Sequence, residues 1–101
     1  MIHRDFFLGF IKIHILYHAS KEPVFGAWIA EELARHGYNI SPGTLYPTLH
    51  RLEKDGYLKS TVKVVNGRVR KYYRATEEGE LMLNRAKQKI RELVTEVIEE
   101  R

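Results

Sequence analysis

Residues 59–74 (KSTVKVVNGRVRKYYR) hold six Lys and Arg residues and no acidic one. Asn66-Gly67 at the centre of this segment is a strong signal for a two-residue β-hairpin turn. The turn predicts a register in which Lys63 faces Arg70 and the two basic ends of the segment also face each other. Because like charges directly opposite one another destabilise a sheet, the chemistry expected of this hairpin is the binding of an external polyanion.

The two faces of the predicted hairpin differ, since side chains alternate across a strand. One face, which we name the cationic face, has five basic residues among its eight positions: Lys59, Thr61, Lys63, Val65, Arg68, Arg70, Tyr72 and Arg74. The other, which we name the valine face, carries Ser60, Val62, Val64, Val69, Lys71 and Tyr73. We expect the valine face to be the inner one, with Tyr73 in the core and the long stem of Lys71 reaching out to solvent.

The composition is typical of one folded domain. With 101 residues, 44% of them hydrophobic, the chain can bury a modest core. No apolar run approaches the length of a membrane span, and the first residues lack a signal-peptide pattern. The absence of cysteine excludes disulfides and thiol catalysis and is consistent with a reducing compartment. We therefore expect a cytoplasmic protein without a membrane partner.

The basic charge is concentrated in the first three-quarters of the chain. Residues 1–75 hold 12 basic and 6 acidic residues, a net charge of +6, whereas residues 76–101 hold 5 and 7, a net charge of −2. A basic surface alone occurs on many soluble proteins. Because a clustered basic surface attracts nucleic acid, we expect double-stranded DNA to bind within residues 1–75.

Two helices are predicted in the first part of the chain. Residues 6–17 are apolar nearly all round, which is typical of a buried helix. A second helix is predicted over residues 25–36, with Trp28 on its inner face. A core or interface role for Trp28 is the default, and a place in an effector pocket is the alternative.

A third helix is predicted over residues 42–55, with Ser41 at its N-cap and proline at its first position. A buried stripe with i, i+4, i+7 spacing is formed by Leu45, Leu49 and Leu52. The opposite face presents Thr44, Pro47, His50, Arg51 and Lys54, with Tyr46 and Thr48 at its flanks. Pro47 either kinks a helix that begins at Pro42 or lies in the first turn of one that begins at Leu45.

A fourth helix is predicted from Thr76, whose hydroxyl can cap it, to the C-terminus. Apolar residues recur along it at alternating spacings of three and four, the pattern of a coiled-coil seam. The seam comprises Leu83, Ala86, Ile90, Leu93 and Val97, widened by Val94 and Ile98. At ~1.5 Å per residue this helix would be ~35 Å long, more than so small a body can cover. We therefore expect the seam to meet a second copy of the chain or another chain.

The order of these elements predicts the fold. Two helices joined by a short turn, the second exposing Thr, His, Arg and Lys, are typical of a helix-turn-helix whose second helix enters the major groove of DNA. We predict an α+β fold, with a winged helix-turn-helix domain of three helices and a hairpin wing over residues 1–75. A C-terminal dimerisation helix is predicted over residues 76–101.

Two segments resemble the PadR-like winged-helix transcriptional regulators. Residues 41–58 (SPGTLYPTLHRLEKDGYL) are similar to the family's third helix, and residues 67–79 (GRVRKYYRATEEG) to its wing and the exit into the last helix. The resemblance implies a homodimeric repressor of pseudo-palindromic operators that responds in many members to a small aromatic or amphipathic effector. The chain departs from the family at residues 25–27, Phe-Gly-Ala in place of a frequent His-Gly-Tyr, and in having one helix after the wing.

Particular residues follow from this interpretation. The candidate DNA-binding residues are Ser41, Thr44, Tyr46, Thr48, His50, Arg51, Lys54, Lys63, Arg68, Arg70 and Tyr72. Arg51 is the strongest candidate on the helix, because arginine can contact guanine through two hydrogen bonds. Tyr46 could instead pack against the second helix, and Tyr72 could simply cover the hairpin.

Other functions have less support in the sequence. His14 and His18 have a spacing that can hold zinc, but no Cys, Asp or Glu beside them in the sequence completes a site, so we expect no metal. No catalytic constellation or phosphate-binding Gly-rich loop appears, so we expect neither an enzyme nor a cofactor. The alternative to a DNA-binding repressor is a winged-helix module whose basic wing binds an acidic protein partner.

Overall fold

The computed structural model describes residues 2–101, and side chains are described for residues 5–101. Within this range the chain forms four α-helices, a short π-helix and a three-stranded antiparallel sheet with strand order β1-β3-β2. The elements are α1 (Ile2–Lys21), β1 (Val24–Phe25), α2 (Gly26–Arg35), α3 (Pro42–Lys54), β2 (Leu58–Val65), β3 (Arg68–Ala75), α4 (Glu77–Leu93) and the π-helix (Val94–Ile98). The predicted α+β winged-helix fold is confirmed. No helix of the described residues is long and apolar enough to span a membrane.

The hairpin of β2 and β3 has the predicted register. Lys63 faces Arg70, Thr61 faces Tyr72 and Val65 faces Arg68. Asn66 and Gly67 have φ values of 52° and 76°, the left-handed backbone that a tight hairpin turn requires and that Asn-Gly supplies at little cost. Local turn chemistry therefore fixed which residues share a face.

The start of the second helix was predicted one residue too early. Phe25 belongs to β1, where it pairs with Tyr72 of β3, and Val24 pairs with Tyr73. Phe25 has the extended backbone of an N-cap, and α2 begins at Gly26. The two-residue strand makes β3 the central strand of the sheet and joins the start of α2 to the wing.

One apolar core joins the four α-helices to the base of the hairpin. Its buried members are Ile11, Ile15, Leu16, Ala19, Val24, Ile29, Leu33, Leu45, Leu49, Leu52, Leu58, Tyr73 and Leu83. The predicted stripe of α3 is thus confirmed as buried. Leu83, predicted in the dimerisation seam, is 5% exposed and packs within the core of its own protomer, because the first turns of α4 lie against α1. It is therefore not available to a second chain.

The structure decides between the two places proposed for Pro47. Helix α3 begins at Pro42, where the amides of Thr44 and Leu45 donate to the carbonyl of Ser41 over 3.0 and 2.9 Å. Pro47 is inside the helix and removes the amide that would donate to the carbonyl of Gly43. Its ring is on the exposed face, where water can reach that carbonyl.

The start of α4 is fixed to the end of α3 by a dense set of contacts. The Thr76 hydroxyl accepts from the Gly79 amide over 3.0 Å, as predicted for a cap, and donates to the Gly56 carbonyl over 2.6 Å. The Thr76 amide donates to the Tyr57 carbonyl over 3.1 Å. A Cβ atom on Gly79 would overlap with the Tyr57 carbonyl oxygen, so the two backbones can approach this closely only because residue 79 has no side chain.

We expect Gly79→Ala to lower the free energy of unfolding by about 1–3 kcal/mol, because the added methyl forces two backbones apart. Thermal and urea unfolding measure the change. Gly9→Ala is the matched control, because a Cβ there meets no atom within 4 Å and alanine favours the helix by about 0.5–1 kcal/mol. Equal stability of the Gly79→Ala and Gly9→Ala variants would show that the close contact is not as described.

Candidate nucleic-acid interface

The exposed face of α3 carries most of the predicted contact residues. Tyr46, His50, Arg51 and Lys54 are exposed, as is Ser41 at the N-cap, whereas Thr44 is half-buried. Tyr46 and His50 lie on the side of the helix that faces the hairpin, where they line a groove with β3. Arg51 lies on the other side, in a groove with Lys12 of α1.

Thr48 was predicted on the flank of this face and is instead buried, with 8% of its surface exposed. Its hydroxyl donates to the carbonyl of Thr44 over 2.8 Å. A buried hydroxyl already bonded to its own helix is not free to reach a base. The error arises because Thr48 is next to the Leu45–Leu49–Leu52 stripe, at the boundary where the helical pattern does not distinguish core from surface.

Arg51 is free to reorient toward an anion. Its Nε lies 3.4 Å from Asp55 Oδ2, and the two side chains are 70% and 46% exposed. An exposed ion pair of this kind contributes only about 0–1 kcal/mol. The pair can therefore open at little cost when a phosphate or a guanine edge approaches.

Tyr46 is positioned by Gly26, a contact that the sequence did not reveal. A Cβ atom on Gly26 would lie 2.6 Å from the Tyr46 ring carbon Cε1 and from its hydroxyl oxygen. The ring therefore lies directly against the first residue of α2. Both roles left open for Tyr46 are compatible with this geometry, because the ring packs on α2 while 42% of the residue stays exposed.

A carboxylate joins α3 to the valine face of the hairpin. The Ser60 hydroxyl donates to Glu53 Oε2 over 2.5 Å, and Lys71 Nζ lies 3.6 Å from Glu53 Oε1. The hydrogen bond from Ser60 lowers the pKa of Glu53; partial burial opposes this and the charge of Lys71 adds to it. Glu53 is therefore ionised at neutral pH and links the hairpin to α3 through Ser60 and Lys71.

The cationic face is ordered by aromatic rings. The guanidinium of Arg70 lies 4.4 Å from the centre of the Phe25 ring, and Lys63 Nζ lies 5.5 Å from that of Tyr72. Phe25 and Tyr72 meet edge to face at 5.5 Å. Tyr72 is half-buried between Phe25 and Lys63, and the two rings contact two of the predicted phosphate-binding cations. Arg68, next to the turn, is exposed.

The valine face was predicted to be the inner face, and this is correct only at its base. Tyr73 is buried, but Val62, Val64 and Val69 are 63%, 70% and 71% exposed. Alternation along a strand determines which residues share a face but not how far the core extends beneath them. The hairpin projects beyond the core, so its outer half exposes apolar side chains.

Trp28, considered for an effector pocket, is half-buried and packs against the core. Its indole meets the His18 ring edge to face at 5.2 Å. It is not among the residues that line the groove between α1 and α4. The position of Trp28 fits the expected role of an aromatic residue of the core.

His14 and His18 of α1 belong to a cluster with α2. Glu32 Oε2 lies 3.5 Å from His18 Nε2 and 3.2 Å from His36 Nε2, and the His14 ring stacks on His36 at 4.6 Å. Burial lowers the pKa of His14, as do the neighbouring His36 and His18, while Glu32 opposes them. The sequence did not show that Glu32 lies beside them. Within the described residues, no group of three or more such side chains could hold a metal ion.

Comparison with known proteins gives a consistent result. Residues 15–85 match the transcriptional regulator PadR-like family. The chain is 52% identical over 95 residues to the transcriptional regulator Rv3488 of Mycobacterium tuberculosis. The matched region covers 94% of this chain and 89% of that protein.

Solved structures show the same similarity. A PadR family transcriptional regulator from Eggerthella lenta is 32% identical, with a TM-score of 0.83 over 97% of this chain and 87% of that one. A PadR-like transcriptional regulator from Bacillus cereus is 33% identical, with a TM-score of 0.84 over 94% of each chain.

We expect Gly26→Ala to weaken DNA binding about fivefold, similar to Tyr46→Ala, because the added methyl displaces the Tyr46 ring and one contact is lost. Fluorescence anisotropy with a duplex selected from a random library measures the affinity. In the double variant the two losses should not add, since both act on one ring. Additive losses would show that Gly26 does not act through Tyr46, and Gly9→Ala serves as the control for a glycine without neighbours.

Proposed function

The chain belongs to the transcriptional regulator PadR-like family, and we propose that this DNA-binding regulator is a homodimeric repressor that occupies a pseudo-palindromic operator. One observation carries the proposal. The exposed face of α3 and the basic hairpin lie side by side, joined through Glu53, so a reading helix and a basic ribbon can meet one duplex together. Repression then requires only occupancy of the operator, with no chemical step.

We assign the sequence preference to α3. A helix can enter the major groove, where each base pair presents a distinct pattern of donors and acceptors. Arg51 is the residue best suited to guanine, and His50 and Lys54 lie on the same exposed face. Tyr46 and Ser41, at the start of the helix, are placed to contact the phosphates that flank it.

We assign general affinity to the hairpin. Its cations neutralise phosphates and release condensed counterions, a contribution that falls steeply as salt rises. Arg68 is exposed beside the turn, and Lys63 and Arg70 lie over the rings of Tyr72 and Phe25. These contacts do not depend on the base sequence.

The proposed dimer forms on α1 and α4. A groove of about 440 Å³ between these helices is lined mainly by apolar side chains, among them Phe10, Tyr17 and Ile90. Beyond it, Leu93 and Val97 are 46% and 62% exposed. Apolar residues exposed in a row along a helix favour burial against a second chain. The dimerising part of residues 76–101 is then Ala86, Ile90, Leu93, Val94 and Val97.

The same groove is the place where we propose that a small aromatic or amphipathic effector binds. It is apolar and forms part of the proposed dimer interface, so an occupant enclosed between the two chains would change the relative position of the two reading helices. His14 and Lys87 at its margin offer polar contacts to such a molecule.

Arg51→Ala and Arg68→Ala test whether α3 supplies the sequence preference and the hairpin supplies the general affinity. We expect Arg51→Ala to lower affinity for the selected duplex about tenfold and to relax its sequence preference, since a base contact is lost. Arg68→Ala should weaken all duplexes similarly and reduce the slope of log K against log salt by about one. Anisotropy titrations at several salt concentrations measure both effects.

Lys89→Ala is the matched control for this pair, because Lys89 is an exposed cation of α4 paired with Glu92. Unchanged binding in both arginine variants would contradict the assignment of the interface. A wild-type protein that shifts no duplex but retains a protein partner would favour the interaction-module alternative.

Ile90→Glu combined with Leu93→Glu should give a monomer, because two carboxylates would be buried without partners in the proposed interface. Sedimentation velocity measures the change in mass. Leu81→Glu is the matched control: Leu81 is also an exposed leucine of α4, 54% exposed, but it is not in the seam. A dimer that survives in the double variant would show that another surface joins the protomers.

A further inference from the structure

We propose that the valine face of the wing packs against the deoxyribose rings of the DNA backbone, with Val62, Val64 and Val69 as its contact residues. The inference rests on the DNA-binding function proposed above and deepens it. The closest contacts of the wing with DNA are then made by apolar side chains, which a search for positive charge would not identify. The cations of the hairpin then act mainly on the phosphates that flank these sugars.

The direction of the valine face is set by the base of the hairpin. Leu58 and Tyr73 occupy this face and are buried in the core. The next residues outward, Ser60 and Lys71, contact Glu53 of α3. Val62, Val64 and Val69 continue the same face beyond the core, because side chains two apart on a strand point the same way. They therefore lie on the α3 side of the wing.

A groove runs between this face and α3. It has a volume of about 470 Å³, and Tyr46 and His50 line it on α3. On the wing it is lined by Val69 and Lys71 of the valine face and by Arg68 and Arg70 of the cationic face. If α3 enters the major groove, the sugar-phosphate chain bordering that groove must pass between the helix and the wing. Val69 borders this passage directly, and Val62 and Val64 extend the same face beside it.

The chemistry of the groove matches a nucleic-acid backbone. Phosphates alternate along the chain with deoxyribose rings, whose carbon-bound hydrogens are apolar. The groove combines Arg68 and Lys71 with Val69, and the exposed Val62 and Val64 lie on the same face of the hairpin as Val69, so charged and apolar groups are both present at short spacing. Burying the valine methyl groups against the sugars removes apolar surface from water, which favours binding.

A second copy of the chain fits this face less well. The hairpin has six basic residues and no acidic one between positions 59 and 74. Two wings packed valine face to valine face would enclose the Lys71 ammonium of each wing in one interface with no acidic residue of the hairpins to pair with it, at a cost in the low dielectric of an interface. The apolar groove between α1 and α4 carries no such excess and is the better place for a partner copy.

The experiment replaces the three valines by threonine in one variant, Val62→Thr, Val64→Thr and Val69→Thr. Threonine keeps the branched shape and the strand preference of valine and exchanges one methyl for a hydroxyl. Val65→Thr is the matched control, because Val65 is in the same hairpin but faces the cationic side opposite Arg68. Affinity for the selected duplex is measured by anisotropy at several salt concentrations.

We expect the triple variant to lose affinity about tenfold with an unchanged salt slope, since no charge is removed. Val65→Thr should bind like the wild type. A triple variant with wild-type affinity would overturn the inference while leaving the DNA-binding function intact. A wild type that binds no duplex would instead overturn the proposed function, and with it this inference.

Methyl NMR of the wild-type protein provides a second readout that does not depend on a variant. Addition of the duplex should shift the methyl signals of Val62, Val64 and Val69 and give cross-peaks to deoxyribose protons, whereas Val65 gives none. Shifts that appear on dimer formation without DNA would show that a second copy covers this face and would contradict the proposal.

Discussion

Leu58 and Tyr73, at the base of the hairpin, are buried in the same core as the leucine stripe of α3. This shared burial fixes the angle between the helix and the wing, and every functional assignment depends on that angle. Glu53 reinforces it at the surface through Ser60 and Lys71. A hairpin that moved freely would still be basic, but it could not be aligned with α3 along one duplex.

The wing separates two kinds of interaction onto its two faces. On one, Phe25 and Tyr72 order Arg70 and Lys63, which supply a field that attracts phosphates from a distance. On the other, valines extend past the core toward the groove beside α3. Attraction by charge is long-ranged and insensitive to position, whereas apolar contact requires close fit. Together they would bring a duplex in and then set its position.

The sequence predicted what depends on neighbours in the chain. Asn66-Gly67 determined the hairpin register, Thr76 capped α4, and the spacing of Leu45, Leu49 and Leu52 defined the buried side of α3. Strand β1 could not be predicted, because Val24 and Phe25 are extended only through pairing with Tyr73 and Tyr72, far along the chain. The exposure of Val62, Val64 and Val69 and the burial of Thr48 and Leu83 likewise depend on how far the core extends. A local sequence pattern contains no information on that extent.

The central claim is that α3 and the wing read DNA as a pair in a two-fold dimer. The most direct test is repeated selection of bound duplexes from a random library, followed by sequencing. The account predicts an enriched sequence with two inverted half-sites whose centres are about 10 bp, or a multiple of it, apart. A recovered pool with the same sequence composition as the starting library would contradict it.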